Sequence, residues 1–181
     1  PDDSHSRYLE AAVGGIIVGC LYLPNGNPQP GPKFDYKLRW FDRLLDHAEG
    51  LLGHGLPVAL VGDFNVMPTE LDVYAPERWL DDALFAPEAR AAYARLLDQG
   101  WTDAVRALHP DERIYTFWKY WRNAFARNSG LGIDHLLLCP DHAKRLVAAE
   151  VDREPRAWEA TSDHAPVWIE LADRPARKRK R

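Results

Sequence analysis

The sequence predicts an α/β domain in which layered sheets are flanked by helices. Short apolar runs rich in β-branched residues alternate with longer segments in which apolar residues recur every three or four positions. The alternation is irregular, which favours a layered sandwich over regular strand–helix–strand winding. At 181 residues, the chain is long enough to build one continuous hydrophobic core.

The first third of the chain contains three predicted strands and one long helix. Residues 7–12 and 15–23 are predicted strands, and the second is β-branched and largely buried. A turn-rich run from Pro24 to Pro32 precedes an amphipathic helix over 33–52, in which apolar residues keep helical spacing. Residues 57–62 form a short apolar strand that we expect to be buried.

The remainder of the chain is predicted to combine short helices with further strands. After loops and turns at 66–86, Pro87 favours a helix over 87–98, because proline suits the first helical turn. Thr102 is a suitable cap for a second helix over 102–108. The segments with strand-like patterns are 115–118, 133–138, about 145–151 and 166–171.

Charge is distributed unevenly along the sequence. The net charge is −4, although six basic residues fall between Arg174 and Arg181, so the preceding part is markedly acidic. An acidic body is a poor general binder of polyanions, so local basic residues or metal ions would have to hold any nucleic acid. We expect residues 173–181 to form a disordered basic tail, which either does nothing specific or binds phosphate groups non-specifically.

The composition excludes several classes of protein. Aromatic residues make up 11% of the chain, which argues against intrinsic disorder. No apolar run approaches the roughly 18 residues of a membrane span, and no signal peptide is recognisable, so we expect a cytoplasmic protein without a membrane partner. Cys20 and Cys139 lie in apolar, strand-like runs, and we expect both to be buried, unpaired thiols.

The opening of the chain indicates an incomplete protein. The sequence begins at Pro1 rather than at a methionine, and its first residues resemble a loop that leads into a strand. We therefore expect further sequence before residue 1.

Polar side chains gather at the ends of the predicted strands. Four clusters share this placement: Tyr22 with Asn25, Asp63 with Asn65, Asp134, and Asp163 with His164. If the strands are neighbours, their end loops meet at one edge, where binding and catalytic groups tend to lie. Carboxylate and amide oxygens, with few cysteines, suit a hard cation such as Mg²⁺ or Mn²⁺.

Each cluster also has a purely structural explanation. Asp63 and Asn65 would suit a turn, and Asp163-His164 would suit a helix cap or a surface pair. Tyr22 would be an ordinary core tyrosine. Asp134 is harder to explain in this way, because a carboxylate within an apolar strand needs a partner, and histidine is the natural one. The coincidence of the four clusters favours a functional site.

Several segments resemble known signatures. Those of the endonuclease/exonuclease/phosphatase superfamily are Gly62-Asp63-Phe64-Asn65, Gly132-Ile133-Asp134-His135 and Ser162-Asp163-His164-Ala165-Pro166-Val167. Those typical of its exonuclease III and apurinic–apyrimidinic endonuclease branch are Leu21–Gly26, Asp72–Glu77 and the block from Tyr115 to Gly130. The resemblance runs from about residue 6 to 172. It implies that residues 1–172 form the C-terminal portion of a two-sheet α/β sandwich with flanking helices.

The resemblance also implies catalytic roles. Asp63 matches the aspartate that orients or deprotonates the attacking water, and Asn65 matches a hydrogen-bond donor to the phosphoryl group. His164 matches the histidine bonded to the scissile phosphate, and Asp134 matches the carboxylate that orients this imidazole. Tyr22 matches an active-site tyrosine near the phosphate.

Further residues match substrate and metal sites of the family. Asn25 matches a phosphate contact, and Phe117 and Leu131 resemble apolar walls that hold a flipped-out abasic sugar. The implied ligands of Mg²⁺ or Mn²⁺ are Asp63, Asn65, Asp163 and His164.

The sequence departs from the family at two places. The strand with the family's metal-ligating glutamate lies before residue 1. Gly132 occupies a position where relatives often carry arginine, so one phosphate contact of those relatives is absent here.

The function implied by the resemblance is Mg²⁺-dependent hydrolysis of DNA phosphodiesters in base-excision repair. The expected partner is double-stranded DNA with abasic sites or 3′ ends, and the expected state is a monomer. Two alternatives stay open. One is a phosphodiesterase of the same superfamily that acts on another phosphoester, such as an inositol phosphate or sphingomyelin. The other is an inactive, truncated fragment.

Overall fold

The computed structural model describes residues 3–173. The tail predicted at 173–181 therefore lies outside the described residues, apart from Asp173. The described strands are β1 (Tyr8–Val13), β2 (Ile16–Tyr22), β3 (Val58–Asp63), β4 (Thr102–Asp103), β5 (Asp134–Leu138), β6 (Leu146–Val151) and β7 (Val167–Leu171). The α-helices are α1 (Pro32–Gly53), α2 (Pro87–Asp98), α3 (Ala104–Leu108) and α4 (Pro140–Ala143), and short 3₁₀ turns cover Glu70–Asp72, Pro76–Arg78 and Pro155–Ala157.

The strands form two sheets, as the layered sandwich requires. The larger sheet has the order β1-β2-β3-β5-β4, in which β2 and β3 run parallel and the other neighbours run antiparallel. One of its faces packs against α1 and α2 in the main hydrophobic core. The antiparallel pair β6–β7 packs against β3 and β5 on the other face. The predicted α/β class with two sheets and flanking helices is confirmed.

The two longest helices lie where the sequence predicts them. Proline stands at the start of each, where its fixed φ suits the first turn. The buried face of α1 includes Phe41 and Leu44, and burying a side chain of this size stabilises the fold by about 1.5–3 kcal/mol. Within residues 3–173, no helix has both the length and the apolar character needed to cross a bilayer.

Two local predictions need correction. Thr102 does not cap α3: it lies in β4, and the Asp103 side chain caps the helix by accepting a hydrogen bond from the Arg106 amide at 3.1 Å. Residues 115–118 form no strand, because Phe117 makes isolated bridges to two separate segments, at Leu131 and His164. The short helix α4 was not predicted.

The second strand is less buried than predicted. One face of β1 and β2 is uncovered, so that Leu9 is 70% exposed and Val13 is 61% exposed. Cys20 lies on this face and is exposed, in contrast to the prediction, whereas Cys139 is buried as predicted. Both thiols are unpaired. The exposure arises because, among the described residues, the β6–β7 pair covers the same face only near β3 and β5.

A buried ionic network joins β5 to the helical layer. The Nδ1 atom of His135 lies 3.2 Å from Asp103 Oδ2, and Nε2 lies 3.0 Å from the Val66 carbonyl oxygen. Tyr93 donates its hydroxyl to the same carboxylate at 2.8 Å. Because both ring nitrogens face acceptors, the ring donates twice and is an imidazolium. Burial acts to lower the pKa of His135, but the hydrogen bond and charge of Asp103 outweigh it and raise this pKa to about 9.

This network predicts a pH dependence of stability. The pKa of His135 rises from 6.5 to about 9 on folding, so its stabilising contribution is complete below pH 6.5 and is lost as the pH rises through about 9. A shift of this size corresponds to about 3 kcal/mol. Urea unfolding of the wild type and of His135→Phe between pH 6 and 10 measures it. The advantage of the wild type should shrink over this range.

Comparing the two proteins isolates His135, because groups such as Lys37 titrate in both. A difference in unfolding free energy that stays constant with pH would show that the ring is neutral in the folded protein.

Candidate active site

Strand register brings three of the predicted site residues to one level of the large sheet. Tyr22 pairs with Asp63 across β2 and β3, and Asp63 pairs with Asp134 across β3 and β5. Residues paired in this way project from the same face of a sheet. The ends of three neighbouring strands therefore place a phenol and two carboxylates side by side.

Gly62 makes this alignment possible. Its φ is +132°, and a Cβ atom at this position would lie 2.0 Å from the Leu21 carbonyl oxygen. No other residue fits there without separating β3 from β2. The glycine therefore keeps Asp63 next to Tyr22.

The Asp63–Asn65 turn is fixed by its own polar groups. The backbone nitrogen of Asn65 donates a hydrogen bond to Asp63 Oδ1 at 2.8 Å. Asn65 has a φ of 46°, which asparagine tolerates better than most residues. Its side-chain amide donates to the Leu23 carbonyl at 2.8 Å and to Asp63 Oδ2 at 3.2 Å. Both amide hydrogens are thus engaged, and a bond to a phosphoryl group would replace one of them.

Lys37 of α1 joins the loop that contains Asn25 to the turn that contains Asn65. Its side chain is fully buried, and its ammonium donates to the carbonyl oxygens of Asn25 and Asn65. Burial lowers the pKa of Lys37 to about 7, against the opposing charges of Asp63 and Asp82. No sequence motif indicated this residue.

A histidine–aspartate pair forms the other half of the site. Asp134 Oδ2 lies 2.8 Å from His164 Nδ1, as the sequence predicts. The Phe117 ring packs edge-on against the imidazole, with ring centroids 5.0 Å apart. Because Asp134 occupies Nδ1, Nε2 is the nitrogen that can meet a substrate. Burial acts to lower the pKa of His164, but the hydrogen bond and charge of Asp134 outweigh it, and this pKa is raised.

Thr116 holds Asp134 in place. Its buried hydroxyl oxygen accepts hydrogen bonds from the backbone amides of Ile133 and Asp134, each at 3.1 Å. The Thr116 carbonyl also accepts from Ala165, next to the catalytic candidate His164, at 2.7 Å. One threonine therefore ties the two partners of the pair to the same loop.

Asp63 lies in an environment that disfavours its charge. Burial, followed by the charge of Asp134, raises the pKa of the Asp63 carboxyl to about 7, although the Asn65 backbone hydrogen bond opposes the shift. A carboxyl group with such a pKa exchanges protons near neutral pH, which suits general acid–base catalysis.

The structure brings most of the predicted site residues to one cleft with a volume of about 380 Å³. Its walls include eight of them: Tyr22, Asn25, Asp63, Asn65, Phe117, Leu131, Asp163 and His164. Asp134 stands behind His164 and is joined to it by the hydrogen bond described above. The roles assigned to these residues stay predictions.

The cleft also contains residues that the motifs did not indicate, namely Asn27, Trp79, Asp82 and Leu84. Asn27 donates to Asp82 at 3.0 Å and accepts from the Ala83 amide at 3.0 Å, so it joins the turn-rich loop to the segment before α2. These residues lie in loops without periodicity, where no sequence pattern indicates which way a side chain points. Lys37 could have been found, because it interrupts the apolar face of α1 with a charge.

Two of the four predicted metal ligands, Asp63 and Asp163, are carboxylates at the cleft. Among residues 3–173, no three His, Cys, Asp or Glu side chains are arranged to hold a metal. Mg²⁺ commonly binds through one or two carboxylates together with water and substrate phosphate. Asp63 and Asp163 both face the cleft and offer oxygen donors of this kind, so the donor chemistry fits Mg²⁺.

Comparisons with known proteins agree with this arrangement. The sequence pattern of the Endonuclease/Exonuclease/phosphatase family matches residues 2–164. The chain is 34% identical to "Exodeoxyribonuclease III" of Haemophilus influenzae over 171 residues, which are 90% of this chain and 64% of that protein. The chain thus spans less than two thirds of this relative.

Solved structures show the same fold. A Neisseria structure described as the 3′ phosphatase NExo bound to product DNA hairpin superposes with a TM-score of 0.92 and 38% identity, over 95% of this chain and 67% of that one. An AP endonuclease from Archaeoglobus fulgidus superposes with a TM-score of 0.88 and 35% identity, over 91% and 65%. The chain belongs to the endonuclease/exonuclease/phosphatase family, in its exonuclease III and apurinic–apyrimidinic endonuclease branch.

Proposed function

We propose that this chain carries the reaction centre of a DNA phosphodiesterase that incises at abasic sites and trims 3′ ends in the 3′→5′ direction, in base-excision repair. The observation that supports it most directly is the placement of Asp63 and the His164–Asp134 pair at one cleft. The names of the relatives, an exodeoxyribonuclease III and an AP endonuclease, point to the same reaction.

The proposed chemistry is displacement at phosphorus by water: the bond between phosphorus and the water oxygen forms, the P–O3′ bond breaks, and the proton that Asp63 takes from the water passes to the leaving O3′. Asp63 lies at the wall of the cleft, where its carboxylate would orient the attacking water and accept its proton. His164, held by Asp134 through Nδ1, directs Nε2–H to a phosphoryl oxygen and stabilises the charge that develops there. Tyr22 and Asn25 line the same cleft and would contact the phosphate.

A divalent cation completes the proposal. Asp63 and Asp163 would hold Mg²⁺ together with the substrate phosphate, with Asn65 and His164 at its border. When bound, Mg²⁺ supplies positive charge that neutralises the phosphoryl oxygens.

The proposed substrate is double-stranded DNA. Leu131 is buried and Phe117 is half-buried, and both present apolar surface to the cleft, which suits a baseless sugar better than an intact nucleotide. We further propose a monomer that acts in the cytoplasm, where the unpaired Cys20 and Cys139 would stay reduced.

The role of Asp63 predicts a selective loss of turnover. Asp63→Asn should lower kcat by about 10³-fold or more and leave DNA affinity nearly unchanged, because the carboxylate acts mainly in the transition state. Hydrolysis of an abasic duplex in Mg²⁺ and binding of the same duplex in EDTA measure the two effects. Asp141→Asn, at an exposed position on α4, is the matched control. Near-full activity of Asp63→Asn would refute the assignment.

The histidine–aspartate pair predicts a shift in the pH profile. His164 must be protonated to donate to the phosphate, so activity should fall as the pH rises through its pKa. Asp134 raises this pKa, so Asp134→Asn should move the alkaline limb of the kcat/KM profile to lower pH. His164→Ala should remove this limb and cost on the order of 10²-fold in kcat. An alkaline limb that is unmoved in Asp134→Asn would contradict the proposed pairing.

A further inference from the structure

Three hydrogen-bonded asparagine side chains, which we call the amide chain, run across the cleft to Asp63. They belong to Asn27, Asn25 and Asn65. Asn27 Nδ2 donates to Asn25 Oδ1 at 3.1 Å, and Asn25 Nδ2 donates to Asn65 Oδ1 at 3.2 Å. Asn65 Nδ2 then donates to Asp63 Oδ2 at 3.2 Å. The amide chain therefore ends on the carboxylate that is proposed to act on the water.

The orientation of Asn27 is fixed by two groups that can each play only one role. A backbone N–H can only donate a hydrogen bond, and an ionised carboxylate can only accept one. The Ala83 amide donates to Asn27 Oδ1 at 3.0 Å, and the Asp82 carboxylate accepts from Asn27 Nδ2 at 3.0 Å. Exchanging the oxygen and nitrogen of Asn27 would lose both bonds. Asn27 is therefore obliged to present its N–H groups to Asp82 and Asn25.

The two amides that follow are oriented in the same way. The backbone nitrogen of Asn27 donates to Asn25 Oδ1 at 3.2 Å, so Asn25 turns its Nδ2 toward Asn65. Asn65 Nδ2 meets two acceptors, the Leu23 carbonyl at 2.8 Å and the Asp63 carboxylate. One N–H of each amide thus points along the amide chain toward Asp63. Hydrogen bonds arranged in series in this way polarise and strengthen one another.

Asp82 is the charged anchor at the outer end of the amide chain. Its Oδ1 also accepts from the Leu84 backbone amide at 2.9 Å, which holds the carboxylate in place. Asp82 is half-buried at the wall of the cleft, and the proposed reaction uses neither Asp82 nor Asn27. A carboxylate in a cleft that receives a polyanion opposes binding through its charge. Its contact with Asn27 gives this carboxylate a role that offsets the cost.

We propose that Asn27 is a positioning residue for the hydrolysis, which acts through Asn25 and Asn65 to hold Asp63 toward the attacking water. Asp82 fixes the end of the amide chain from which this orientation is passed on. The proposal rests on the proposed DNA phosphodiesterase function. It deepens that function, because it extends the functional unit to a residue that does not have to touch the substrate.

Asn27→Asp tests the amide chain by removing its first donor at nearly constant shape. The new carboxylate still accepts from the Ala83 amide, but it cannot donate to Asn25, and it repels Asp82. Asn25 should then turn its own N–H toward position 27 and release Asn65. On an abasic duplex in Mg²⁺, kcat should fall about tenfold or more, as for loss of a partner that orients a reacting group. The Kd in EDTA should stay within about threefold, because DNA affinity is shared among many phosphate contacts.

A double variant separates positioning from support of the fold. Asn27→Asp combined with Asp82→Asn keeps the wild-type net charge and removes the repulsion between the two carboxylates. The urea midpoint, lowered in Asn27→Asp, should therefore recover. The donor to Asn25 is still missing, so kcat should stay low. A kcat that recovers together with the urea midpoint would overturn the proposal, because Asn27 would then act only by stabilising the fold.

Gln29→Glu is the matched control, since it makes the same change from amide to carboxylate in the same loop. Within residues 3–173, the Gln29 side chain makes no hydrogen bond, and it lies outside the walls of the cleft. It should leave kcat, Kd and the urea midpoint unchanged. A loss of kcat equal to that of Asn27→Asp would contradict the proposal, because the added charge would then be the cause.

The amide chain can also be observed without turnover. In a nitrogen–proton correlation spectrum, the side-chain NH₂ signals of Asn25 and Asn65 should shift in Asn27→Asp and in the double variant, and stay in place in Gln29→Glu. Unmoved Asn65 signals in Asn27→Asp would refute the amide chain even if the wild type cuts DNA. If the chain is not a DNA phosphodiesterase, the wild type will not cut the duplex although these signals shift. The two proposals can therefore fail separately.

Discussion

The loops that line the cleft are held in position by the hydrogen bonds of the buried Lys37 ammonium. A charge without access to water is costly unless hydrogen bonds replace its hydration. Lys37 meets this requirement with the carbonyl oxygens of Asn25 and Asn65, which belong to loops 40 residues apart in the chain. The long helix α1 anchors the lysine through its apolar neighbours. The loops that carry the catalytic candidates are thereby fixed to the hydrophobic core.

The side chains of β5 alternate between the two faces of the sheet and make different contacts on each face. Asp134 and His135 are consecutive, so their side chains project to opposite sides. Asp134 turns toward the cleft and orients His164, whereas His135 turns toward the helices and binds Asp103 and the Val66 carbonyl. The second contact supports the chain just after Asn65. Strand β5 therefore orients His164 on one face of the sheet and supports the Asp63–Asn65 turn on the other.

Local pattern was sufficient for most of the strands and the two longest helices, and for the approximate place of the site. Apolar runs defined the strands, and the polar residues after them, such as Asp63, converge because neighbouring strands end at one edge. Contacts between residues that are distant in the sequence could not be predicted from local pattern. Thr116 became a support for Asp134 only through residues far along the chain. Asp103 replaced Thr102 as the helix cap because the two-residue strand β4 delays the start of α3 to Ala104, directly after Asp103. The exposure of Cys20 depends on which face the small sheet covers.

The uncovered face of β1 and β2 has a consequence for the behaviour of the chain in solution. Among residues 3–173, β1 is an edge strand, and its exposed Leu9 and Val13 offer an apolar surface to which a second molecule can bind. Mutual repulsion from the net charge of −4 is the force that opposes such encounters. Dissolved salt weakens that repulsion over about 10 Å at 0.1 M. A rise in ionic strength therefore favours association of two molecules through this face of the sheet.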